Sequence, residues 1–324
     1  MKIAVGDNND RKFIQDLIDH WEHKGHEVRY ELGASEYLAQ WADLYYVDQF
    51  DSNIHYLYKI YNGAEGVSRT PDWDNNKKPI IVCRALDWDV WVGQTRDQKL
   101  IDWIDKVICI APHIEQEMRK HAEFSSKLKM IRPGVNLDKF TLKKPFDSAQ
   151  GHGTDGFQLG MVLGDMWWPK NHMAGLDIFT TLYRQDNKWR LHIRGQHEGG
   201  TEYWKVMYEH FLESRNIKEA VTLYPQVDDM NAWYENIDIL LHPSMKEAFC
   251  YAVAEAMAKN IDVVINDFYG SRFIWANTDI YRTHEEAIKK ILEKKYHKGG
   301  NRGFIEHNFS LERQLKETDE WLGL

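Results

Sequence analysis

Two glutamates flank the start of a predicted helix in the second half of the chain. Residues 241–258 read LHPSMKEAFCYAVAEAMA, the end of a buried strand, a polar loop and an alanine-rich helix that begins near Phe249. The start of such a helix, at Ala248–Cys250, presents unpaired backbone N–H groups and the positive end of the helix dipole, which suit a diphosphate. Glu247 precedes the helix, and Glu255 lies about six residues into it, roughly 9 Å along the axis and on a face expected to be exposed. The carboxylates could hold hydroxyl groups on either side of one diphosphate, although an isolated pair is better explained as a helix-start charge and a solvated side chain.

Apolar runs that alternate with helical spacing predict the sheets that would position this segment. In the first half the runs lie at residues 3–5, 28–30, 44–47, 80–83 and 107–110. In the second half they lie at residues 159–162, 190–193, 221–223, 237–241 and 262–265. Strands alternating with helices indicate parallel, doubly wound sheets, so we predict an α/β protein with two Rossmann-like domains.

A loss of periodicity between Leu142 and Gly156 predicts the domain boundary. This stretch contains Gly151 and Gly153 with polar neighbours, a composition typical of a flexible connection. We therefore predict a first domain over residues 1–145, a linker over 146–156 and a second domain over 157–303.

Composition narrows the class of protein. The chain has 324 residues and a formal net charge of -9, with 41 basic and 50 acidic residues, so no general attraction to nucleic acid or anionic lipid is implied. Cys83, Cys109 and Cys250 are far apart, which indicates free thiols in a reducing compartment, and we expect a cytoplasmic location. The sequence predicts neither a signal peptide nor an integral membrane segment, because no apolar run approaches roughly 18 residues.

Several motifs in order resemble those of the family 4 glycosyltransferases of the GT-B fold. Pro243, Ser244, Glu247, Phe249 and Glu255 match the hallmark of that family, Pro-Ser-x-x-Glu-x-Phe with a second Glu eight residues after the first. Residues 131–136, IRPGVN, resemble its crossing point between domains, and residues 162–170 resemble its donor-phosphate loop. The resemblance covers about residues 100–315 and implies two domains that face each other across a cleft, with residues 304–324 forming a helix that packs back on the first domain.

The chain departs from the family pattern at the expected diphosphate contacts. Asp165 stands where an arginine is usual, so of the two cations Lys170 remains, and Gly164 precedes it in the loop. Arg194, at the end of a predicted strand, could supply the second cation. The family's acceptor-side histidine has no clear counterpart, and Asp87 is the candidate to replace it.

The resemblance implies a retaining transfer of a sugar from a nucleotide-diphosphate sugar to an acceptor hydroxyl group. Lys170 and the helix start would stabilise the leaving diphosphate, Glu247 would orient the donor sugar, and Glu255 would bind the ribose. The second domain would hold the donor, with Gly6 of the amino-terminal loop as a further donor-binding residue, and the first domain would shape a site for a sugar, a lipid-linked or another hydroxyl acceptor. No cofactor or metal is expected.

Alternative functions remain open on the residues alone. The same fold serves sugar-nucleotide epimerases and phosphorylases, and loss of the usual arginine and histidine would suit a catalytically silent sugar-nucleotide binder. The abundant aromatic residues could stack on bases in a transferase acting on modified DNA, although the acidic balance disfavours nucleic acid. Two Asp-Trp-Asp triplets, at 72–74 and 87–89, imitate a metal motif, and His20, His23 and His26 form a histidine row, but both patterns are better explained as surface residues.

Overall fold

The chain folds into two compact units. The structure is a computed structural model that describes residues 1–8, 11, 13–49, 52–63, 77–86, 97–120, 126–143, 156–164, 168–195, 202–224, 227, 229–275, 280–294 and 301–324. Unit 1 comprises Met1–Pro133 and Glu312–Leu324, and unit 2 comprises Gly134–Leu311. The chain therefore passes between the units twice.

Unit 1 is built on a parallel sheet of six strands in the order β2-β1-β3-β4-β5-β6. The strands are β1 (Lys2–Asp7), β2 (Glu27–Leu32), β3 (Leu44–Asp48), β4 (Ile80–Ala85), β5 (Lys106–Cys109) and β6 (Leu128–Met130). β3 is buried along its whole length, as expected of a central strand covered on both faces. The strand order reverses between β1 and β3.

The described helices of unit 1 that precede its last strand are short and amphipathic. They are α1 (Gln15–His23), α2 (Glu36–Trp41), α3 (Ser52–Asn62), α4 (Gln98–Trp103) and α5 (Pro112–Met118). In α1 the buried residues are Leu17, Ile18 and Trp21, which lie on one face of the helix and join the core formed by β1, β3 and β4.

Unit 2 contains a second parallel sheet of six strands, in the order β12-β11-β10-β7-β8-β9. The strands are β7 (Gln158–Gly164), β8 (Arg190–Gly195), β9 (Val221–Tyr224), β10 (Ile239–His242), β11 (Asp262–Asn266) and β12 (Ile280–Tyr281). Here the order reverses between β7 and β10, in the arrangement of the classical dinucleotide-binding sheets.

The helices of unit 2 cover this sheet. They are α6 (His172–Gln185), α7 (Glu202–Ser214), α8 (Met230–Tyr234), α9 (Tyr251–Ala258), α10 (Ser271–Ile274), α11 (His284–Lys294) and α12 (Arg302–Asn308), with short 3-10 helices at Trp168–Lys170 and Lys218–Ala220. Buried side chains of β7, β8, α6 and α11 form one apolar cluster around Trp189 and Phe179. The predicted class, two doubly wound parallel sheets, is confirmed.

The last helix, α13 (Leu311–Leu322), lies almost entirely in unit 1. Asp319 anchors it, because its carboxylate accepts hydrogen bonds from Trp21 Nε1 at 3.1 Å and Lys24 Nζ at 2.8 Å and lies 2.7 Å from His20 Nε2. Burial works to raise the pKa of Asp319, but these donors lower it below its ordinary value. His20 is therefore a structural partner of the carboxyl-terminal helix.

The structure places the division between units earlier than the sequence suggested. Residues 134–143 belong to unit 2, because Val135 forms a β-bridge with Ser310 and Arg302 Nη1 donates a hydrogen bond to Phe140 O at 2.8 Å. These contacts join residues that are far apart in the chain, so no pattern in the local sequence indicates them. The predicted linker lies outside the described residues except for Gly156. Similarly, residues 304–311 lie in unit 2 and not with the rest of the tail.

Two strands were missed in the sequence. β6 has three residues and β12 has two, too few to show alternation. No helix within the described ranges is long and apolar enough to cross a membrane.

Candidate active site

The segments that follow β7 and β10 carry the candidate catalytic residues. In open α/β sheets, ligands bind beyond the carboxyl ends of the strands where the strand order reverses. In unit 2 that position lies between β7 and β10. Lys170 ends the 3-10 helix that follows β7, and Glu247 lies in the loop that connects β10 to α9.

Lys170 and Glu247 form an ion pair at this edge, with Nζ 2.8 Å from Oε1. The buried His242, the last residue of β10, places Nε2 3.3 Å from the same oxygen. Burial works to raise the pKa of Glu247, but the neighbouring His242 and Lys170 outweigh it and hold the pKa at about 2. Glu247 is therefore a carboxylate at neutral pH.

Hydrogen bonds between the two loops hold this pair together. Met245 N donates to Pro169 O at 2.8 Å, and Asn171 Nδ2 donates to Pro243 O at 3.2 Å. Asn171 has a φ of 51°, in the left-handed region that asparagine tolerates, and this turn starts α6 immediately after Lys170. From β11, Asn266 Nδ2 donates to Ser244 O at 3.1 Å. One backbone hydrogen bond and two asparagine side chains therefore hold the loops that carry Lys170 and Glu247.

The helix after Glu247 begins at Tyr251, two residues later than the sequence suggested. Cys250 has a φ of 79° and a ψ of 81°, and a left-handed residue ends the helical path toward the amino terminus. Ala248, Phe249 and Cys250 therefore precede the helix. The Phe249 side chain is buried and packs on Trp275 at a ring distance of 5.3 Å, so it has a core role.

Cys250 points its thiol at the end of β10. Its Sγ lies 3.5 Å from His242 Nδ1, and the residue is buried. Burial, with a contribution from the nearby charge of Glu247, raises the pKa of the thiol well above its ordinary value. The group is therefore a neutral thiol at neutral pH.

Glu255 is half-buried and not on an exposed face, because its carboxylate meets a core side chain. Its Oε2 accepts a hydrogen bond at 3.0 Å from the hydroxyl group of Tyr234, which is fully buried in α8. Burial and then the negative charge of Glu255 raise the pKa of Tyr234 far above its ordinary value. A neutral phenol therefore fixes one carboxylate oxygen of Glu255.

Arg194 and Gly164 lie at the same edge of the second sheet. Arg194 is the next-to-last residue of β8, and its positive charge lowers the pKa of Tyr234, against the larger effect of burial. Its buried Nε has no hydrogen-bond partner within the described ranges. Gly164 ends β7 with a φ of 57°, and a Cβ atom added there would meet no atom of the described residues within 4 Å. The positive φ, and not close packing against those residues, therefore explains the glycine.

Gly6 and Asp87 belong to the other unit. Gly6 lies inside β1 and not in a loop as predicted, and a Cβ atom there would come within 2.5 Å of Gly33 O, so close packing explains the glycine. Asp87 lies outside the described residues, as do Asp165 and both Asp-Trp-Asp triplets.

A buried charge pair at the carboxyl edge of the first sheet was missed in the sequence. Arg84 Nη2 donates to Asp48 Oδ2 at 2.8 Å, and both residues are buried. Burial raises the pKa of Asp48 although Arg84 acts in the opposite direction, and the nearby Asp7 raises it further. Asp7, Asp48 and Arg84 each end or nearly end a strand, which is the signal that could have identified them.

His242, Glu247 and Cys250 are also a group that the sequence missed. One possible ligand atom from each residue lies within 4.8 Å of the others. The sequence contains the spacing His-x4-Glu-x2-Cys. It was not recognised because the three residues lie on a strand, in a loop and at a left-handed residue, so no single helix or strand period brings them together.

Comparisons with known proteins agree with this geometry. Residues 156–299 match the family model described as "Glycosyl transferases group 1". Digalactosyldiacylglycerol synthase 1 of Arabidopsis thaliana is 24% identical over 163 residues, which are 49% of this chain and 19% of the synthase. D-inositol 3-phosphate glycosyltransferase of Paenarthrobacter aurescens is 23% identical over 185 residues, 54% of this chain and 43% of that enzyme. The chain thus spans less than half the length of these relatives.

Solved structures show the same fold over the whole chain. Anabaena HepE in complex with UDP-glucose has a TM-score of 0.75 at 14% identity, covering 100% of this chain and 99% of that one. Sucrose-phosphate synthase from Thermosynechococcus elongatus has a TM-score of 0.72 at 13% identity, covering 99% and 98%. The predicted GT-B fold, with two doubly wound parallel sheets, is confirmed, and residues 156–299 are similar to the glycosyl transferases of group 1.

Proposed function

We propose that the protein transfers a sugar, with retention and without a metal ion, from a nucleotide-diphosphate sugar to an acceptor hydroxyl group. The observation that carries this proposal is the Lys170 and Glu247 ion pair at the reversal point of the second sheet. It brings one cation and one carboxylate to the edge where such sheets bind nucleotides.

Lys170 stabilises the leaving diphosphate in this proposal. An ammonium group has three donors, so Lys170 can keep its hydrogen bond to Glu247 and still donate to phosphate oxygens. Both described contacts of Glu247 are made by Oε1, and Oε2 can therefore accept from a hydroxyl group of the donor sugar. Arg194 supplies a second cation from β8, where the family's arginine is replaced by Asp165.

Glu255 binds the ribose of the donor. Its carboxylate is held by Tyr234 through Oε2, which orients the other oxygen before the nucleotide arrives. A pre-oriented acceptor loses less conformational entropy on binding than a free side chain.

The transfer step needs no enzymatic nucleophile. The bond from the anomeric carbon to the diphosphate oxygen breaks, the acceptor oxygen bonds to that carbon on the same face, and the departing phosphate oxygen takes the acceptor proton. The complex of HepE with UDP-glucose makes uridine diphosphate sugars the first donors to test. The acceptor is a sugar, a lipid-linked or another hydroxyl compound that unit 1 recognises.

A thermal stabilisation screen against nucleotide-diphosphate sugars tests the donor. A ligand at 100 times its dissociation constant adds about 2.7 kcal/mol to stability, and the matching nucleoside monophosphate should add much less because it lacks the diphosphate. Product analysis by nuclear magnetic resonance then reads the anomeric configuration. An inverted product would refute retention, and a product epimerised in the absence of acceptor would assign the fold to an epimerase.

A further inference from the structure

His242, Glu247 and Cys250 offer a nitrogen, an oxygen and a sulfur atom within 4.8 Å of one another. We propose that these residues bind a borderline or soft divalent cation such as Zn²⁺, and that the bound ion inhibits by displacing Lys170 from Glu247 and by neutralising the carboxylate that the donor sugar needs. The binding site stands on its own geometry, whereas the inhibition rests on the proposed function.

The backbone at Cys250 is strained in a way that directs its thiol into this group. A φ of 79° is uncommon for a residue with a Cβ atom and easy for glycine. Strain of this kind persists where the surrounding structure holds it and is concentrated at functional sites. Here the strained residue carries the sulfur atom that lies 3.5 Å from His242 Nδ1.

His242 provides a second, independent indication of a ligand. The residue is 1% exposed, and within the described part of the chain its Nε2 has no hydrogen-bond partner. Nε2 lies 3.3 Å from Glu247 Oε1, on the side of the ring that faces the carboxylate of this group. A buried polar atom is normally satisfied by protein, water or an ion, and a cation would satisfy a ring nitrogen and the carboxylate together.

The donor atoms select the kind of metal. Imidazole, carboxylate and thiolate are the ligands of Zn²⁺, whereas Mg²⁺ and Ca²⁺ prefer sites made of oxygen atoms. Tetrahedral bonds of about 2.0–2.3 Å place ligand atoms roughly 3.3–3.8 Å apart, and the three candidate atoms lie within 4.8 Å of one another. Only one of the two ring nitrogens can bind the ion, so the side chains must rotate toward it to bring the three atoms to this spacing.

The charges around the site permit binding. The thiol of Cys250 releases one proton to solvent when it coordinates, so binding of the doubly charged ion raises the net charge of the site by only one. Glu247 supplies a second negative charge, and Lys170 loses its partner Oε1 to the metal. The ion therefore neutralises the carboxylate of Glu247 and displaces the ammonium group of Lys170, which the proposed transfer uses.

Titration of chelator-treated protein with Co²⁺ tests the site, because a thiolate bound to Co²⁺ absorbs strongly in the near ultraviolet. We expect one Co²⁺ per chain with this absorption, and displacement by Zn²⁺. Cys250→Gly suits the positive φ and should fold, yet it removes the sulfur, so the absorption should vanish and Zn²⁺ affinity should fall by about tenfold or more. His242→Gln should weaken binding with the thiol in place.

Cys83→Ala is the matched control, since Cys83 is a buried thiol of unit 1 outside the group. It should bind Co²⁺ as the parent does. Absence of the absorption in the parent, or its persistence in Cys250→Gly, would overturn the site. Zn²⁺ binding that leaves donor affinity unchanged would overturn the inhibition alone, and a protein that binds Co²⁺ but no sugar nucleotide would instead refute the proposed function.

Discussion

Replacement of Lys170 by alanine is the perturbation that discriminates most sharply between a transferase and a protein that merely binds the donor. If Lys170 stabilises the departing diphosphate, its charge matters most when the bond to the sugar breaks. Two unit charges 4 Å apart interact by about 4 kcal/mol at an effective dielectric constant near 20, which suits a side chain that is 23% exposed. Loss of one such contact typically lowers the rate by about 10²–10³.

We therefore expect Lys170→Ala to lower kcat and kcat/KM together by about 10²–10³, with a smaller loss of donor affinity. Single-turnover rates and donor affinity should be measured on the same preparation. Lys218→Ala is a matched control, because Lys218 makes a comparable contact with Glu213, at 2.6 Å, but on the surface. A single-turnover rate of Lys170→Ala within about twofold of the parent would refute the assignment and favour the silent binder.

Glu255→Gln should weaken donor binding while the fold is kept, because the amide retains the contact with Tyr234 but loses the charge; equal affinity in calorimetry would contradict the ribose role. Activity should survive excess EDTA. If EDTA abolishes activity and Mn²⁺ restores it, a metal-dependent mechanism is favoured. The pKa of about 2 for Glu247 predicts stability that is present above its unfolded value near 4.5 and is lost as pH falls toward 2. The free energy of unfolding of Glu247→Gln should therefore lack a pH-dependent contribution on the order of 3 kcal/mol. If this free energy depends on pH identically in mutant and parent, the ion pair is not the source of the acid sensitivity.

Local patterns were sufficient for the sheets and for part of the site. Apolar runs such as residues 44–47 and 262–265 have the length of buried strands, so alternation with helices predicted both sheets. The order of motifs suggested one site for Lys170 and Glu247, and the structure brings the two within 2.8 Å.

Features that depend on distant contacts could not be predicted in this way. The Asp48 and Arg84 pair joins two parallel strands that are separated by a long crossover, and neither residue is unusual in its own strand. The bridge from Val135 to Ser310 moved the boundary between units for the same reason. The left-handed Cys250 was missed because cysteine carries no signal of positive φ, in contrast to glycine.

The charges described at the edge of the second sheet indicate how the departure at Asp165 is accommodated in the proposed donor site. Lys170 contributes one positive charge, but Glu247, ionised and 2.8 Å away, offsets it. The start of α9 adds a partial charge of about +0.5. A donor diphosphate carries two negative charges, so these groups alone leave the site poorly matched to its ligand. Arg194 raises the sum of the charges assigned to the diphosphate to about +1.5, with the carboxylate of Glu255 assigned to the ribose, and the buried Nε of Arg194 has no hydrogen-bond partner in the described part of unit 2. The affinity for the diphosphate in this proposal therefore depends on Arg194, whereas Lys170, held in place by Glu247, acts on the charge that develops as the bond breaks.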